Sequence, residues 1–158
     1  MSLTRIDREA GPIAVRYTNP HNQPTPMAYA KPIGFWYSVD GDWERWCESE
    51  QPDWLKGRYV HEVKLGEEDM VLIRDTLSLD LFHEKYFKGD RWTGGIDWPS
   101  VAAEFDGIEI APYQWGRRLD GNCSRWYYGW DCASGCIWRP RGVEIVLCES
   151  PTKPKVKR

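Results

Sequence analysis

The fold of this chain is indicated most clearly by Trp126-Tyr127-Tyr128-Gly129-Trp130-Asp131-Cys132-Ala133-Ser134-Gly135-Cys136-Ile137-Trp138. The rings favour a pair of β-strands, because aromatic residues are enriched in strands. A single carboxylate, Asp131, sits among rings, small residues and thiols. Burying a carboxylate without partners costs several kcal/mol. Asp131 is therefore either paired and structural, or it faces a pocket and takes part in chemistry.

The composition fits one globular domain with a substantial core. The chain has 158 residues, of which 41% are hydrophobic and 14% are aromatic. Ten tryptophans are an unusual load, since the indole ring is large and its N–H needs a partner. The rings either fill a small β-rich core or line a groove that stacks on sugars, bases or nicotinamide. A net charge of −3 indicates no global field for nucleic acid or a membrane.

The cysteines and the hydropathy pattern indicate a cytoplasmic protein. The five cysteines are odd in number, and we find neither a signal peptide nor an apolar run near the ~20 residues of a membrane span. Reduced thiols are the simplest interpretation. Cys123, Cys132 and Cys136 lie near one another, but no Cys-x-x-Cys pair occurs and the three histidines are scattered. No metal is expected.

Strand-like and helical patterns do not alternate regularly along the chain. Besides the aromatic pair, strands are predicted over 13–18, 33–39, 58–65, 70–73, 107–111 and 142–147. Three helices are predicted: one after Asp40 or Asp42 with Trp43, Trp46 and Cys47 on one face, one capped by Ser78, and one capped by Asp97. The order favours an α+β fold over a doubly wound parallel sheet.

The remaining segments are predicted to be loops or loose ends. Residues 1–12 are expected to be loose, residues 13–149 to form the single domain, and residues 150–158 to be a basic disordered tail. The proline-rich segment 19–32 and the arginine-bearing segment 112–125 are predicted loops. Neither a Gly-x-Gly-x-x-Gly nor a P-loop motif is present, so nucleotide binding by a glycine-rich turn is not supported.

Three motifs follow one another in a particular order. The first is Val-Arg-Tyr-Thr-Asn-Pro at 15–20, the second is Lys-Pro-Ile-Gly-Phe-Trp-Tyr-Ser at 31–38, and the third joins the strands at 60–63 and 71–73 to a helix ending at Tyr86. A turn at 105–108 and a closing stretch at 136–140 follow. Together they resemble the ADP-ribosyltransferase superfamily, including its small phage and bacterial members, over roughly residues 13 to 148.

The resemblance implies an α+β fold in which two small packed, mainly antiparallel sheets form a cleft that binds NAD. It implies an enzyme that cleaves the nicotinamide–ribose bond of NAD, its co-substrate, and transfers ADP-ribose to a macromolecular acceptor. That acceptor is a protein or a nucleic acid, and a toxin or phage effector is one implied role. The basic residue of the family's first strand matches Arg16, and the serine of its second motif matches Ser38. The implied NAD-binding residues are Arg16, Tyr17, Thr18, Trp36, Tyr37, Ser38 and Trp130.

The catalytic acid departs from the family pattern. Residues 133–135, Ala-Ser-Gly, occupy the place where the family usually has a glutamate. Asp131 is the nearest carboxylate, with Glu109 and Glu144 as alternatives. A fixed carboxylate beside the ribose stabilises an oxocarbenium-like transition state more than the ground state. We therefore predict Asp131, together with Arg16 and Ser38, as the catalytic residues.

Two other functions remain open at this point. The missing glutamate is also consistent with a catalytically degenerate protein of the same fold that binds a nucleotide or a partner. The tryptophan content is consistent with an unrelated module that stacks its rings on single-stranded nucleic acid or on carbohydrate. The acidic charge balance argues against the nucleic-acid version of this module.

Overall fold

A computed structural model describes residues 1–10, 13, 20–119 and 124–151. The fold is α+β, with a seven-stranded, mainly antiparallel sheet and short helices. The strands are β1 (Leu3–Asp7), β2 (Phe35–Val39), β3 (Tyr59–Lys64), β4 (Met70–Ile73), β5 (Phe87–Lys88), β6 (Gly95–Ile96), β7 (Gly107–Ile110), β8 (Ser134–Ile137) and β9 (Glu144–Pro151). The α-helices are α1 (Asp42–Glu50), α2 (Thr76–Tyr86), α3 (Trp98–Glu104) and α4 (Ser124–Tyr128). Single 3-10 turns occur at Pro20–Asn22, Pro52–Leu55 and Trp115–Arg117.

The main sheet has the strand order β4-β7-β8-β2-β1-β3-β9. Its strands pair antiparallel except for the parallel pair of β4 and β7. The two small packed sheets expected from the resemblance are instead one continuous seven-stranded sheet and a separate β5-β6 pair. The α+β class and the mainly antiparallel character are confirmed.

The main sheet is divided between β1 and β2. These strands are paired at Leu3–Val39 and Thr4–Ser38. On their other edges, β1 pairs with β3 and β2 pairs with β8, over four residue pairs each. The strands therefore separate into a four-stranded half and a three-stranded half that share one short contact.

The N-terminal segment contains a strand, so the prediction that residues 1–12 are loose is wrong for residues 3–7. The segment has apolar or β-branched side chains at Leu3, Thr4 and Ile6, which favour a strand. Its backbone pairs with the neighbouring edges of β2 and β3. The predicted strand at 13–18 falls outside the described residues except for Ile13, and the tail beyond Pro151 also falls outside them.

The aromatic stretch 126–138 is not a strand pair. Its first part belongs to α4, and the strand β8 begins only at Ser134. Trp126 and Trp130, four residues apart, both point into the core. Burial of these large rings against the helices outweighs the local preference of aromatic residues for strands. The small residues of β8 allow close approach of Tyr37 from β2.

The helix caps differ in part from those predicted. Gly41, in the left-handed region at φ 70°, is the N-cap of α1 and has no side chain with which to cap it. Asp75 caps α2 by accepting from the backbone N–H of Ser78 at 2.7 Å, so Ser78 is the partner within a capping box. The predicted cap of α3 by Asp97 is confirmed, with Pro99 in the first turn.

One aromatic cluster fills the core between the sheet and the helices. Its fully buried indoles are Trp98, Trp126, Trp130 and Trp138. The N–H groups of Trp98, Trp126 and Trp138 donate to carbonyl oxygens or to a histidine nitrogen. The N–H of Trp130 has no partner among the described residues. Of the two explanations for the tryptophan content, packing in the core is the one that applies to these four residues.

Candidate active site

A cavity of about 370 Å³ lies where β1 and β2 separate. Residues 4–6 of β1 form one side and residues 36–38 of β2 form the other. The segment after α4 adds Trp130, Asp131 and Cys132. This volume falls within the range of small-molecule sites. The separation of the two strands is therefore what creates room for a ligand.

The cavity brings together five residues that the sequence predicted for the site: Trp36, Tyr37, Ser38, Trp130 and Asp131. They come from two segments almost a hundred positions apart, one in β2 and one between α4 and β8. The other three predicted residues, Arg16, Tyr17 and Thr18, lie outside the described residues.

The Asp131 carboxylate lines the cavity and also lies near two cations. Its oxygens are 3.9 Å from Lys31 Nζ and 3.6 Å from Arg118 Nη2, and the side chain is 29% exposed. Ion pairs at this exposure contribute about 0–1 kcal/mol to stability. The carboxylate is therefore loosely paired and also lines the cavity, while its part in chemistry stays a prediction.

Ser38 positions the start of α1. Its Oγ accepts a 3.0 Å hydrogen bond from the backbone N–H of Trp43, while its side chain is almost fully buried. The Asp42 carboxylate in the same turn accepts a 2.7 Å hydrogen bond from the backbone N–H of Ala133. These two bonds connect β2, α1 and the segment that carries Asp131.

Tryptophan rings form much of the cavity wall. The rings of Trp36 and Trp130 lie 4.8 Å apart at 59°, and Lys31 Nζ lies 5.4 Å from the Trp36 ring centroid. On α1, Trp43 stacks on Trp46 at 4.9 Å with an interplanar angle of 9°. The predicted placement of these two rings on one face of a helix is confirmed. Such rings offer flat apolar surfaces for a planar ligand or a cation.

Tyr37 alternates with Trp36 and Ser38 along β2, so its side chain points to the opposite face of the sheet. The ring is buried, and its hydroxyl donates a 2.7 Å hydrogen bond to Glu109 Oε2. Burial, followed by the Glu109 charge, raises the pKa of Tyr37 far above its ordinary value. Trp36 is thus the better placed of the two as a stacking surface in the cavity.

The structure separates the three candidate acids. Glu109 is 2% exposed, and its carboxylate bonds to Tyr37 and to Arg74 Nη1 at 2.6 Å. Glu144 begins β9, the edge strand, which β1 and β3 separate from β2. Of these three carboxylates, Asp131 is the one that lines the cavity.

Sequence reasoning missed two cations that line the cavity, Arg5 and Lys31. Arg5 Nη1 donates to the Trp36 carbonyl at 3.0 Å, and Arg5 Nε donates to Asp7 at 3.0 Å. Its guanidinium therefore bridges the point where β1 and β2 separate. The alternation of Leu3, Thr4, Arg5 and Ile6 is the signal of a strand here, but the polar residues around it favour a loose segment.

The thiols and possible metal ligands complete the description of the site. Burial raises the pKa of Cys132 to about 12 and that of Cys136 well above its ordinary value, so both thiols stay protonated at neutral pH. In the described ranges, no group of three or more His, Cys, Asp or Glu side chains is arranged to hold a metal ion. Within the same ranges, no helix is long and apolar enough to cross a membrane.

The site is an aromatic-lined cavity with one carboxylate and two cations, set at a division in an antiparallel sheet. No protein-family model matches the chain, and neither a curated protein nor a solved structure matches it. The residues of the cavity and the motif resemblance are therefore what bears on function.

Proposed function

We propose that the protein is an NAD-dependent ADP-ribosyltransferase with its active site in the cavity between β1 and β2. The observation that carries the proposal is that Trp36, Ser38 and Asp131, singled out in separate parts of the sequence, line one cavity. The resemblance also implies a basic residue on the first strand. Arg5, which lies on β1 and lines the cavity, is a candidate for that role beside Arg16.

In the proposed reaction, the bond between ribose C1′ and the nicotinamide ring nitrogen breaks. Its electron pair stays on that nitrogen, which loses its positive charge. A nucleophilic atom of the acceptor bonds to C1′, and its proton passes to solvent. NAD and acceptor thus give ADP-ribosylated acceptor, nicotinamide and one proton. Positive charge develops on the ribose, and the Asp131 carboxylate stabilises that charge in the transition state.

The other side chains of the cavity bind and orient the co-substrate in this proposal. Trp36 provides a ring surface for the nicotinamide, and the buried Trp130 packs against the Trp36 ring at 4.8 Å. Arg5 and Lys31 place positive charge beside the cavity, where it attracts the pyrophosphate. Ser38 holds the start of α1 and so fixes Trp43 at the cavity wall.

The test is release of nicotinamide from NAD, together with transfer of label from NAD to macromolecules of a cell lysate. We expect Asp131→Asn to lower both rates by about 100-fold or more, as for loss of a transition-state charge partner. Glu144→Gln, which changes a carboxylate on the far edge strand, is the matched control and should leave both rates unchanged. A wild-type protein that releases no nicotinamide and transfers no label would overturn the proposal.

A second candidate function is binding of a nucleotide without turnover. The observation that favours it is the position of Asp131 between Lys31 and Arg118, in a chain that lacks the family's usual glutamate. Saturable quenching of tryptophan fluorescence by NAD, with no nicotinamide released over hours, would support this candidate over the first.

A further inference from the structure

A continuous row of exposed rings, joined by the exposed Arg125 and the partly buried Arg118, crosses the surface beside the cavity. In spatial order it consists of Trp92, Arg125, Tyr29, Tyr128, Arg118 and Trp115, and we call it the Arg-aromatic stripe. Its four rings are between 45% and 66% exposed. Large rings exposed together in this way indicate an interaction surface.

Each member of the stripe contacts the next. The Arg125 guanidinium lies 5.1 Å from the Trp92 ring centroid and 5.8 Å from that of Tyr29. Tyr29 meets Tyr128 edge to face at 6.4 Å. Arg118 continues the row, at 5.4 Å from the Tyr128 ring and 5.7 Å from the Trp115 ring. The guanidinium groups thus link neighbouring rings along the row.

Four separate segments supply the stripe. Tyr29 comes from the loop before β2, Trp92 from the loop between β5 and β6, and Trp115 from the 3-10 turn after β7. Arg125 and Tyr128 lie three residues apart in α4, so they share one side of that helix. The fold therefore gathers rings and arginines that the sequence keeps far apart.

We propose that the Arg-aromatic stripe binds single-stranded nucleic acid. Exposed rings at successive positions are stacking surfaces for unpaired bases, and guanidinium groups between them donate to phosphates. Arg91, which lies over the Trp92 ring at 5.5 Å, adds positive charge at one end. The bases of a duplex are stacked on each other, so the rings favour single strands.

The charge distribution favours this ligand over a neutral one. The whole chain carries a net charge of −3, so no general attraction for polyanions operates. Three arginines, Arg91, Arg118 and Arg125, nonetheless lie along the stripe beside its exposed rings. Alternation of cations with rings suits a ligand whose anionic and aromatic groups also alternate.

The stripe leads to the cavity. Arg118 Nη2 lies 3.6 Å from Asp131, and Lys31 Nζ lies 3.9 Å from it on the cavity side. A strand bound along the stripe passes the carboxylate assigned to catalysis. Single-stranded nucleic acid is thereby the acceptor class of the proposed reaction, and this step alone rests on the proposed function. Binding along the stripe does not depend on it.

The test is fluorescence anisotropy with labelled single-stranded DNA and RNA of about 12 nucleotides, within the site sizes of single-strand binders. A duplex of the same sequence is the comparison, and no NAD is present. We expect the wild type to bind single strands more tightly than the duplex. Trp92→Ala and Tyr128→Ala should each weaken binding about tenfold or more.

Matched controls lie outside the stripe. Trp54→Ala removes a half-exposed ring that packs against Trp43 and Trp46 and not against the stripe, and Arg45→Ala removes an exposed arginine; neither should change binding. Arg125→Ala should lower the slope of log K against log salt by about 0.7, the value for one phosphate contact on a single strand. Arg125→Lys should retain that slope. Thermal unfolding of every variant checks that the fold is kept.

Several outcomes would overturn the inference: no binding by the wild type, equal binding of the duplex, or unchanged binding by both ring variants. Failure of the proposed function gives a different result. If oligonucleotides bind through the stripe but no nicotinamide is released, nucleic-acid binding is supported and the transferase activity is rejected. If label passes to proteins while oligonucleotides do not bind, the transferase activity is supported and nucleic-acid binding by the stripe is rejected.

Discussion

The hydroxyl of Tyr37 donates a 2.7 Å hydrogen bond to Glu109, and Gly135 lies between them in the sheet. The three residues are neighbours on β2, β8 and β7, in that order across the strands. Only a residue without a side chain at position 135 leaves room for the Tyr37 ring to reach Glu109, because a Cβ there would overlap the end of that ring. Arg74 binds the other Glu109 oxygen at 2.6 Å.

We expect Gly135→Ala to lower the free energy of unfolding by roughly 1–3 kcal/mol, since the added methyl group overpacks a buried contact. Urea unfolding followed by tryptophan fluorescence measures the effect. Gly116→Ala is the control, because a Cβ at that position meets nothing within 4 Å; its effect should stay within about 0.5 kcal/mol. Equal urea midpoints for both variants would contradict the packing described for Tyr37.

We expect Arg74→Met to cost roughly 1–3 kcal/mol of stability, because it leaves the Glu109 carboxylate buried with one partner fewer. The Arg74 side chain is 43% exposed, which limits the effect. Adding Glu109→Gln to this variant should recover part of the loss, and a double-mutant cycle measures the coupling. If the two substitutions change the free energy of unfolding by strictly additive amounts, Arg74 and Glu109 do not interact as a buried pair.

Stability should depend on the ionisation of Asp106. Burial alone would raise its pKa, but the Asp69 backbone N–H and the guanidiniums of Arg139 and Arg141 outweigh burial and hold the pKa below its ordinary value of 3.8. The folded state therefore favours the carboxylate. Its contribution is present above about pH 4 and is lost as the pH falls through the lower, folded-state pKa.

The measurement for Asp106 is urea unfolding at neutral pH and in acid. We expect Asp106→Asn to be less stable than the wild type at neutral pH by roughly 1–3 kcal/mol. The difference between the two proteins should shrink as the pH falls below about 4. Asp53→Asn, at an exposed position, serves as the control. A difference that is constant with pH would show that the Asp106 charge does not contribute.

Arg5 should matter both for the fold and for ligand binding. We expect Arg5→Met to weaken NAD binding about tenfold or more, as for loss of a charge-assisted contact. Arg5→Lys should restore little of the NAD affinity, because a single ammonium group cannot bond to both Asp7 and the Trp36 carbonyl as the guanidinium does. Quenching of tryptophan fluorescence by NAD reports the affinity, and Lys56→Met is the exposed control. Unchanged affinity in Arg5→Met would remove Arg5 from the site.

Local patterns predicted several elements well. The alternation in Tyr59–Lys64, the aromatic run of Phe35–Val39 and the Asp97 cap of α3 are all present as predicted. Each depends on neighbours within a few residues, which is what periodicity and capping rules describe. Trp36, Ser38 and Asp131, predicted as site residues from the motif resemblance, line one cavity, and their roles stay predictions.

Long-range contacts explain what local patterns missed. The stretch 126–138 has strand-like composition, yet Trp126 lies on a helix because its ring fills the space next to Trp98 at 6.3 Å. The sequence around Arg5 predicts a loose segment, because the strand β1 forms only by pairing with β2 and β3. Neither neighbour is close to it in the sequence.

The sequence by itself determined that this is an α+β protein rich in large rings, and it supplied the carboxylate at Asp131. Only the tertiary structure decided what that carboxylate faces. β1 and β2 separate after two residue pairs, which opens a cavity beside Asp131 and brings Arg5 and Lys31 to its edge. The physical reason is that strand pairing and ring burial join segments distant along the chain, and no local pattern encodes the space between them.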